Sequence, residues 1–334
     1  MNATITANLF DYNILMTMLV GAVVASLIAA PQVTRFSPPL NGLTVTNPNA
    51  LWALERYQQV SVDGVTAEPI QTTFCRCGPS TAGRKKVLFL HGADSNALEW
   101  RHIIRDLSDV RDCVALDWWS GGFTERGPIT DVLTKQPTPP TPWLSVRSHI
   151  LAFWKSVLDS EPVVLVGTSL GGAVALDFAA SHPEAVSELV LIDAGGQSYK
   201  SPDADTVTAL APIVLNVKRV AAWVQARVPD EEVRLVALHR NEPGWLEAGG
   251  EYLRSGSYQR AVGPALIRTV PQRTLVVWGE NDDILPVQDA TAFERDLPDC
   301  DSVKIIPQSG HSPHLDNPSA VSPILRDFLE RVDS

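Results

Sequence analysis

Ser169, Asp282 and His311 are the residues of this 334-residue chain whose types and settings could do chemistry together. The stretch VVLVGTSLGG, residues 163–172, runs from branched apolar residues into a serine with glycine two positions before and two after it. A short Val/Leu run bounded by Gly has the composition of a fully buried parallel strand. Ala, Val, Leu and Phe then recur at helical spacing until Pro183. The serine therefore falls at a strand-to-helix turn, where Gly167 and Gly171 remove side chains that would collide with neighbouring backbone. Such a turn lifts the hydroxyl above the sheet at the positive end of the following helix. This is the nucleophile-elbow pattern, G-x-S-x-G.

A serine hydroxyl is a poor nucleophile at neutral pH and needs a base, with a carboxylate to orient that base. In parallel α/β sheets such groups collect beyond the carboxyl ends of the strands. After the apolar run TLVVW comes Gly279-Glu280-Asn281-Asp282-Asp283, and after the run ending at Ile306 comes Ser309-Gly310-His311-Ser312-Pro313-His314. A carboxylate and then a histidine follow the serine in the chain order of an elbow-type hydrolase. Position alone leaves Glu280, Asp282 and Asp283 open as the acid.

The elements that must hold these residues follow from the patterning. Residues 55–62 and 69–76 read as two strands in a hairpin-like start. Residues 86–91, 113–117, 163–168, 189–193, 274–278 and 302–306 read as further strands. Helices are expected over 99–107, 146–158 and 320–332 and after Ser169. Strands alternating with helices at this spacing give βαβ units and a mostly parallel sheet. Between residues 196 and 272 the alternation breaks. Helices are expected there over 207–228 and 231–238, with Trp223, Trp245, Tyr252 and Tyr258, as an insertion packed over one end of the sheet.

Bulk properties narrow the class. A formal net charge of −11 and the absence of a basic run with interleaved aromatics argue against a nucleic-acid surface. Four cysteines are too few for a disulfide scaffold, and neither they nor the seven histidines show metal-ligand spacing. Cys75 and Cys77 share one face of a strand, where a bridge between them would be strained.

The amino-terminal 50 residues stand apart, as a hydrophobic anchor or targeting segment plus a linker. Ile14 to Ala30 carries no charge; Asp11 precedes it and Arg35 is the first positive residue. A membrane anchor, a cleaved targeting segment and a helix buried on the domain are all open readings. An anchor would place the remaining domain, 51–334, on the cytoplasmic or stromal-like side. Membrane anchoring or organelle targeting, a plastid included, therefore ranks ahead of secretion. Residues 31–50, rich in proline and asparagine, read as a linker.

From about Val60 to Val332 the chain resembles the α/β-hydrolase fold superfamily, in its serine-nucleophile esterase- and lipase-like branch. Trp278, Gly279, Asp282 and Pro286 match the family's W-G-x-x-D-x-x-x-P stretch, and this resemblance selects Asp282 as the acid. Gly310, His311 and His314 match its G-H-x-x-H, with His311 as the base and His314 as a brace for the loop. His91-Gly92 corresponds to the family's H-G, which implicates the N–H groups of Ala93 and Leu170 as the oxyanion hole. Asp117 to Thr124 keeps only part of a D-x-x-G-x-G-x-S pattern, with Ser120 in place of a glycine. The stretch HGADSNALEW followed by Arg101 is similar to hydrolases of plant and algal plastids.

The resemblance implies an α/β-hydrolase fold with a helical lid, and ester hydrolysis through an acyl-enzyme on Ser169, with neither metal nor organic cofactor. A small-molecule substrate, lipid-like or with an apolar acyl or alcohol group, suits the Leu, Val and Trp content of the insertion. The same triad also serves C–C bond hydrolases and lyases, and some relatives have become small-molecule receptors. Asp94 and Ser95, beside the oxyanion loop, are expected to cap or turn the chain.

Overall fold

The computed structural model describes residues 31–65, 68–119, 121–126, 142–197, 230–246, 248 and 262–333. Its architecture belongs to the unit beginning at Val33. The segment 14–30, the proposed helix 207–228, Trp223, Tyr252, Tyr258 and Ser120 lie outside the described residues. Among the described residues, no helix is long and apolar enough to cross a membrane.

Nine strands form one sheet: β1 Thr34–Arg35, β2 Tyr57–Val62, β3 Ile70–Cys77, β4 Val87–Leu90, β5 Cys113–Leu116, β6 Val163–Thr168, β7 Val186–Ile192, β8 Arg273–Gly279 and β9 Cys300–Ile306. Their order is β1-β2-β3-β5-β4-β6-β7-β8-β9. The edge β1-β2-β3-β5 is antiparallel, and every pair from β5-β4 to β8-β9 is parallel. The principal helices are α1 Pro48–Leu54, α2 Arg101–Leu107, α3 Pro142–Val157, α4 Leu170–Ser181, α5 Glu231–Val236, α6 Gln288–Asp296 and α7 Pro318–Asp333.

The central strands are buried on both faces, so they read as continuous apolar runs, and successive residues still point to opposite sides. Leu88, Leu90, Leu165, Leu189, Leu191, Val276 and Trp278 pack with Ile150 and Phe153 of α3 and Phe178 of α4. Val87, Phe89, Val164, Val166, Val190, Leu275 and Val277 pack on the other side with Trp100, with Ile103 and Ile104 of α2, and with Leu325 and Phe328 of α7. Two cores thus clamp β4, β6, β7 and β8, whose carboxyl ends carry the site.

The linker reading of residues 31–50 is corrected. Thr34 and Arg35 pair with Gln59 and Gln58, Leu43 and Ala50 are buried, and Asn47 caps α1 by accepting the N–H groups of Asn49 and Ala50. The domain therefore starts near Val33, not at residue 51. Prolines and asparagines read as linker residues are here a helix start and its cap. Within the insertion, the helix expected over 231–238 is α5 followed by a short 3-10 turn at Leu238–Asn241.

Candidate active site

Ser169 sits directly between β6 and α4 with φ 51° and ψ −118°, a conformation that costs a side-chain-bearing residue free energy and persists only where its surroundings enforce it. They do so here. The Ser169 N–H donates to the Ile192 carbonyl at 3.0 Å, and its own carbonyl accepts the N–H groups of Gly172 and Gly195 at 3.1 and 2.9 Å. The flanking glycines allow the approach: a Cβ on Gly167 would lie 2.3 Å from the Gly171 oxygen, and one on Gly171 2.3 Å from the Leu90 oxygen. The turn is therefore packed backbone against backbone.

His311 reaches this hydroxyl from the loop beyond β9. Its Nε2 is 2.9 Å from Ser169 Oγ and its Nδ1 is 2.8 Å from Asp282 Oδ2. The Asp282 side chain is fully buried, and its Oδ1 accepts the N–H groups of Ile284 and Leu285 at 2.8 and 2.9 Å. Those bonds fix the carboxylate, so the imidazole donates from Nδ1 and offers an acceptor at Nε2. Asp283 and Glu280 are exposed, and Glu280 accepts the N–H of Gln308 at 3.2 Å instead.

Gly92 brings the loop after β4 against the serine, since a Cβ built on it would be 3.5 Å from Ser169 Cβ. Ala93 follows in that loop, and Leu170 opens α4. Among the described residues, neither of their N–H groups meets a backbone acceptor. His91 is buried, 2.8 Å from the Gly92 oxygen through Nδ1 and stacked on Trp118; burial lowers its pKa to about 4. It is a packed neutral ring. His314 is buried too, stacked on Trp100 with Nε2 3.3 Å from Glu99 Oε1.

Two residues of this neighbourhood, Glu99 and Asp193, carry no local sequence signal. Glu99 accepts the Gly92 N–H at 2.8 Å with Oε2 while facing His314 with Oε1, so one buried carboxylate ties the histidine loop to the loop after β4. Burial pushes its pKa up, but His314, His91 and the Gly92 N–H outweigh that and hold it below the usual range. Asp193, at φ 42°, is a second buried carboxyl beside Asp282. Asp117 takes up the partly kept motif after β5: it accepts from Thr73 Oγ1 and from the N–H groups of Ala97 and Phe123. Burial raises its pKa to about 6 against those bonds. Asp94 and Ser95 fall in the loop after Ala93; Asp94 is gripped by side chains of the insertion, and the Ser95 carbonyl accepts the Gly122 N–H at 2.9 Å. No group of three or more His, Cys, Asp or Glu that could hold a metal occurs among the described residues.

A doubly covered, mostly parallel sheet with a strained serine between strand and helix, met by a histidine from a later strand end, defines a class of hydrolase. The chain belongs to the alpha/beta hydrolase family, whose model matches residues 87–324. It is 31% identical to the alpha/beta hydrolase domain-containing protein VTE7 of Arabidopsis thaliana, over 73% of this chain and 74% of that protein. It is 26% identical to a 2-hydroxymuconate semialdehyde hydrolase of Pseudomonas, over 74% of this chain and 88% of that one. The human monoacylglycerol lipase ABHD6 is 24% identical, over 84% of this chain and 86% of the lipase. The chain is a hydrolase.

Proposed function

We propose that the chain is a serine carboxylic-ester hydrolase acting on a small molecule with an apolar acyl or alcohol group. The observation that supports this most directly is the imidazole of His311 within hydrogen-bond reach of both Ser169 and Asp282. In this reading Nε2 takes the hydroxyl proton as Oγ attacks the ester carbonyl. Asp282 holds the tautomer and stabilises the imidazolium. The N–H groups of Ala93 and Leu170 meet the oxyanion, each worth about 3 kcal/mol in the transition state. The imidazolium proton passes to the departing alkoxide, leaving an acyl-enzyme on Ser169. Water, giving its proton to Nε2, then attacks the acyl carbon and releases the carboxylic acid and the free serine. No metal or organic cofactor is needed for these steps.

C–C bond hydrolysis is the second reading, because the 2-hydroxymuconate semialdehyde hydrolase is among the relatives. Association with a membrane through residues 14–30 belongs to the proposal as well. It would suit a lipid-like ester, the substrate type named for the human monoacylglycerol lipase.

Hydrolysis of p-nitrophenyl esters from acetate to dodecanoate, by the parent and by Ser169→Ala, tests the main reading. Turnover that falls by about a million-fold in the variant is expected, with a preference for medium over short chains. An inert parent that instead cleaves a vinylogous 1,5-diketone would move the assignment to C–C chemistry. No turnover of either class would return a receptor role to consideration.

A further inference from the structure

Asp94 follows Ala93 in the loop proposed above to supply an oxyanion N–H. Its backbone is in the left-handed region at φ 55°, and its side chain points to the insertion, away from the serine's own elements. Oδ1 accepts from Trp245 Nε1 at 2.6 Å and faces His239 Nε2 at 3.2 Å. Oδ2 pairs with Arg240 at 3.3 Å, and the same guanidinium donates to the Asp94 carbonyl oxygen at 3.3 Å. His239 is fully buried, so with Nε2–H given to Asp94 its Nδ1 is left as an acceptor, and Asn96 Nδ2 approaches it at 3.5 Å. Asn96 also donates to the Leu235 carbonyl at 3.0 Å, at the end of α5.

The insertion is itself moored at its start. Glu231 of α5 accepts the N–H groups of Thr46 and Asn47 at 2.8 and 2.7 Å, and Glu232 pairs with the buried Arg101. One run of chain, 231–245, is thus fixed to the body of the domain and closes on one carboxylate beside the oxyanion loop. A half-buried carboxylate that accepts from three side chains of one run of chain is held more firmly than a lone surface pair. The Asp94 carbonyl that Arg240 also grips lies in the same short loop, two peptide units beyond the Gly92–Ala93 peptide that carries the Ala93 N–H.

We propose that Asp94 is a positioning residue, through which His239, Arg240 and Trp245 of the insertion hold the Ala93 N–H on the oxyanion site. The insertion then does more than shape a pocket. Its docking sets the strength of the oxyanion hole. This inference rests on the serine-hydrolase reading, and its test separates the two.

The test uses the full chain, a fluorophosphonate probe and p-nitrophenyl butyrate. Asp94→Asn keeps an oxygen acceptor and tolerates the left-handed backbone but presents an amide donor to Arg240. Arg240→Met cuts the clamp from the insertion side without touching the loop. Each is expected to lower kcat and the labelling rate of Ser169 about tenfold, because a misplaced donor costs transition-state stabilisation. KM should change less than threefold and the melting temperature by only a few degrees. The double variant should be no slower than the slower single one, since both cut the same link. Labelling within twofold of the parent in both variants, or fully additive losses, would overturn the proposal. If Asp94→Asn does not fold, Arg240→Met decides alone. A parent that neither labels nor turns over any ester would sink the hydrolytic reading itself, whatever the variants do.

Discussion

The carboxyl group of Asp193, at the end of β7, accepts the backbone N–H of Gly279, at the end of β8, at 2.8 Å, and lies buried beside Asp282. Two carboxyls in one buried place cannot both be ionised cheaply. Burial, the charge of Asp282 and that of Asp316 push Asp193 up to about 8 against the Gly279 bond. It is therefore the protonated partner of the two at neutral pH.

A pH dependence of stability follows. The unfolded chain ionises Asp193 near pH ~3.9, while the folded chain keeps the proton until about 8. Between those values the folded state binds more protons, so stability falls as pH rises through the window and levels off above it. Asp193→Asn cannot titrate, and its carbonyl still accepts the Gly279 N–H. The melting temperature of the variant minus that of the parent should therefore grow by about 5 °C between pH 5 and pH 8. Taking the difference cancels the titration of groups that do not interact with Asp193. A difference that stays flat would mean Asp193 is ionised in the native protein.

Asp282 and Asp283 adjoin in sequence, yet only Asp282 meets His311. Asp282→Asn would favour the wrong imidazole tautomer and should cost about ten-thousand-fold in kcat. Asp283→Asn, on an exposed side chain, should stay within twofold. Comparable losses in the two variants, read from ester turnover, would count against the assigned role of Asp282.

Strand ends and the elbow were legible because each is written locally: an apolar run, then glycine, then the functional residue. The family resemblance chose Asp282 over its acidic neighbours, which position alone left open. Glu99, Asp193 and the Asp94 clamp were not legible in that way. Glu99 looked like the polar face of an amphipathic helix, and its partners Gly92 and His314 meet it only when β4 and the loop after β9 come together. Residues 31–50 are hard to read for a related reason. A two-residue strand pairing with Gln58 and Gln59 carries no periodicity of its own, and a proline-led helix beginning with Asn and Ala resembles a linker until Ala50 is seen buried.

The thiols give a prediction that needs no assumption about catalysis. Cys75, Cys77 and Cys113 are free and buried, and burial first, then neighbouring groups, pushes Cys75 and Cys113 well up. Cys300 is partly exposed, with burial and three nearby carboxylates raising it to about 11. Thiolates are the reactive form, so the native protein at pH 7 should react with Ellman's reagent far more slowly than free cysteine. All four thiols should appear together on unfolding. Rapid loss of Cys75, Cys77 or Cys113 in the folded protein, read in a Cys300→Ser variant, would mean that one of these buried strands opens locally.

Gly171 packs directly on the backbone at the end of β4. A methyl group there would sit 2.3 Å from the Leu90 oxygen and 2.4 Å from the His91 oxygen. Both are backbone atoms at the end of β4, and neither can rotate aside as a side chain would. Gly171→Ala must therefore push α4 away from β4, at a cost of about 1–3 kcal/mol. Because α4 begins at the residue after Ser169, the same displacement carries the Leu170 N–H and the serine hydroxyl out of register with His311. The expected result is a melting temperature lower by several degrees together with a drop in kcat of about a hundredfold. Gly195→Ala is the matched control, since among the described residues a Cβ there would meet Ala173 Cβ and the Ser169 oxygen alone, each at an ordinary 3.6 Å. A Gly171→Ala protein as stable and as active as the Gly195→Ala one would show that the approach of α4 to β4 is looser than these distances require.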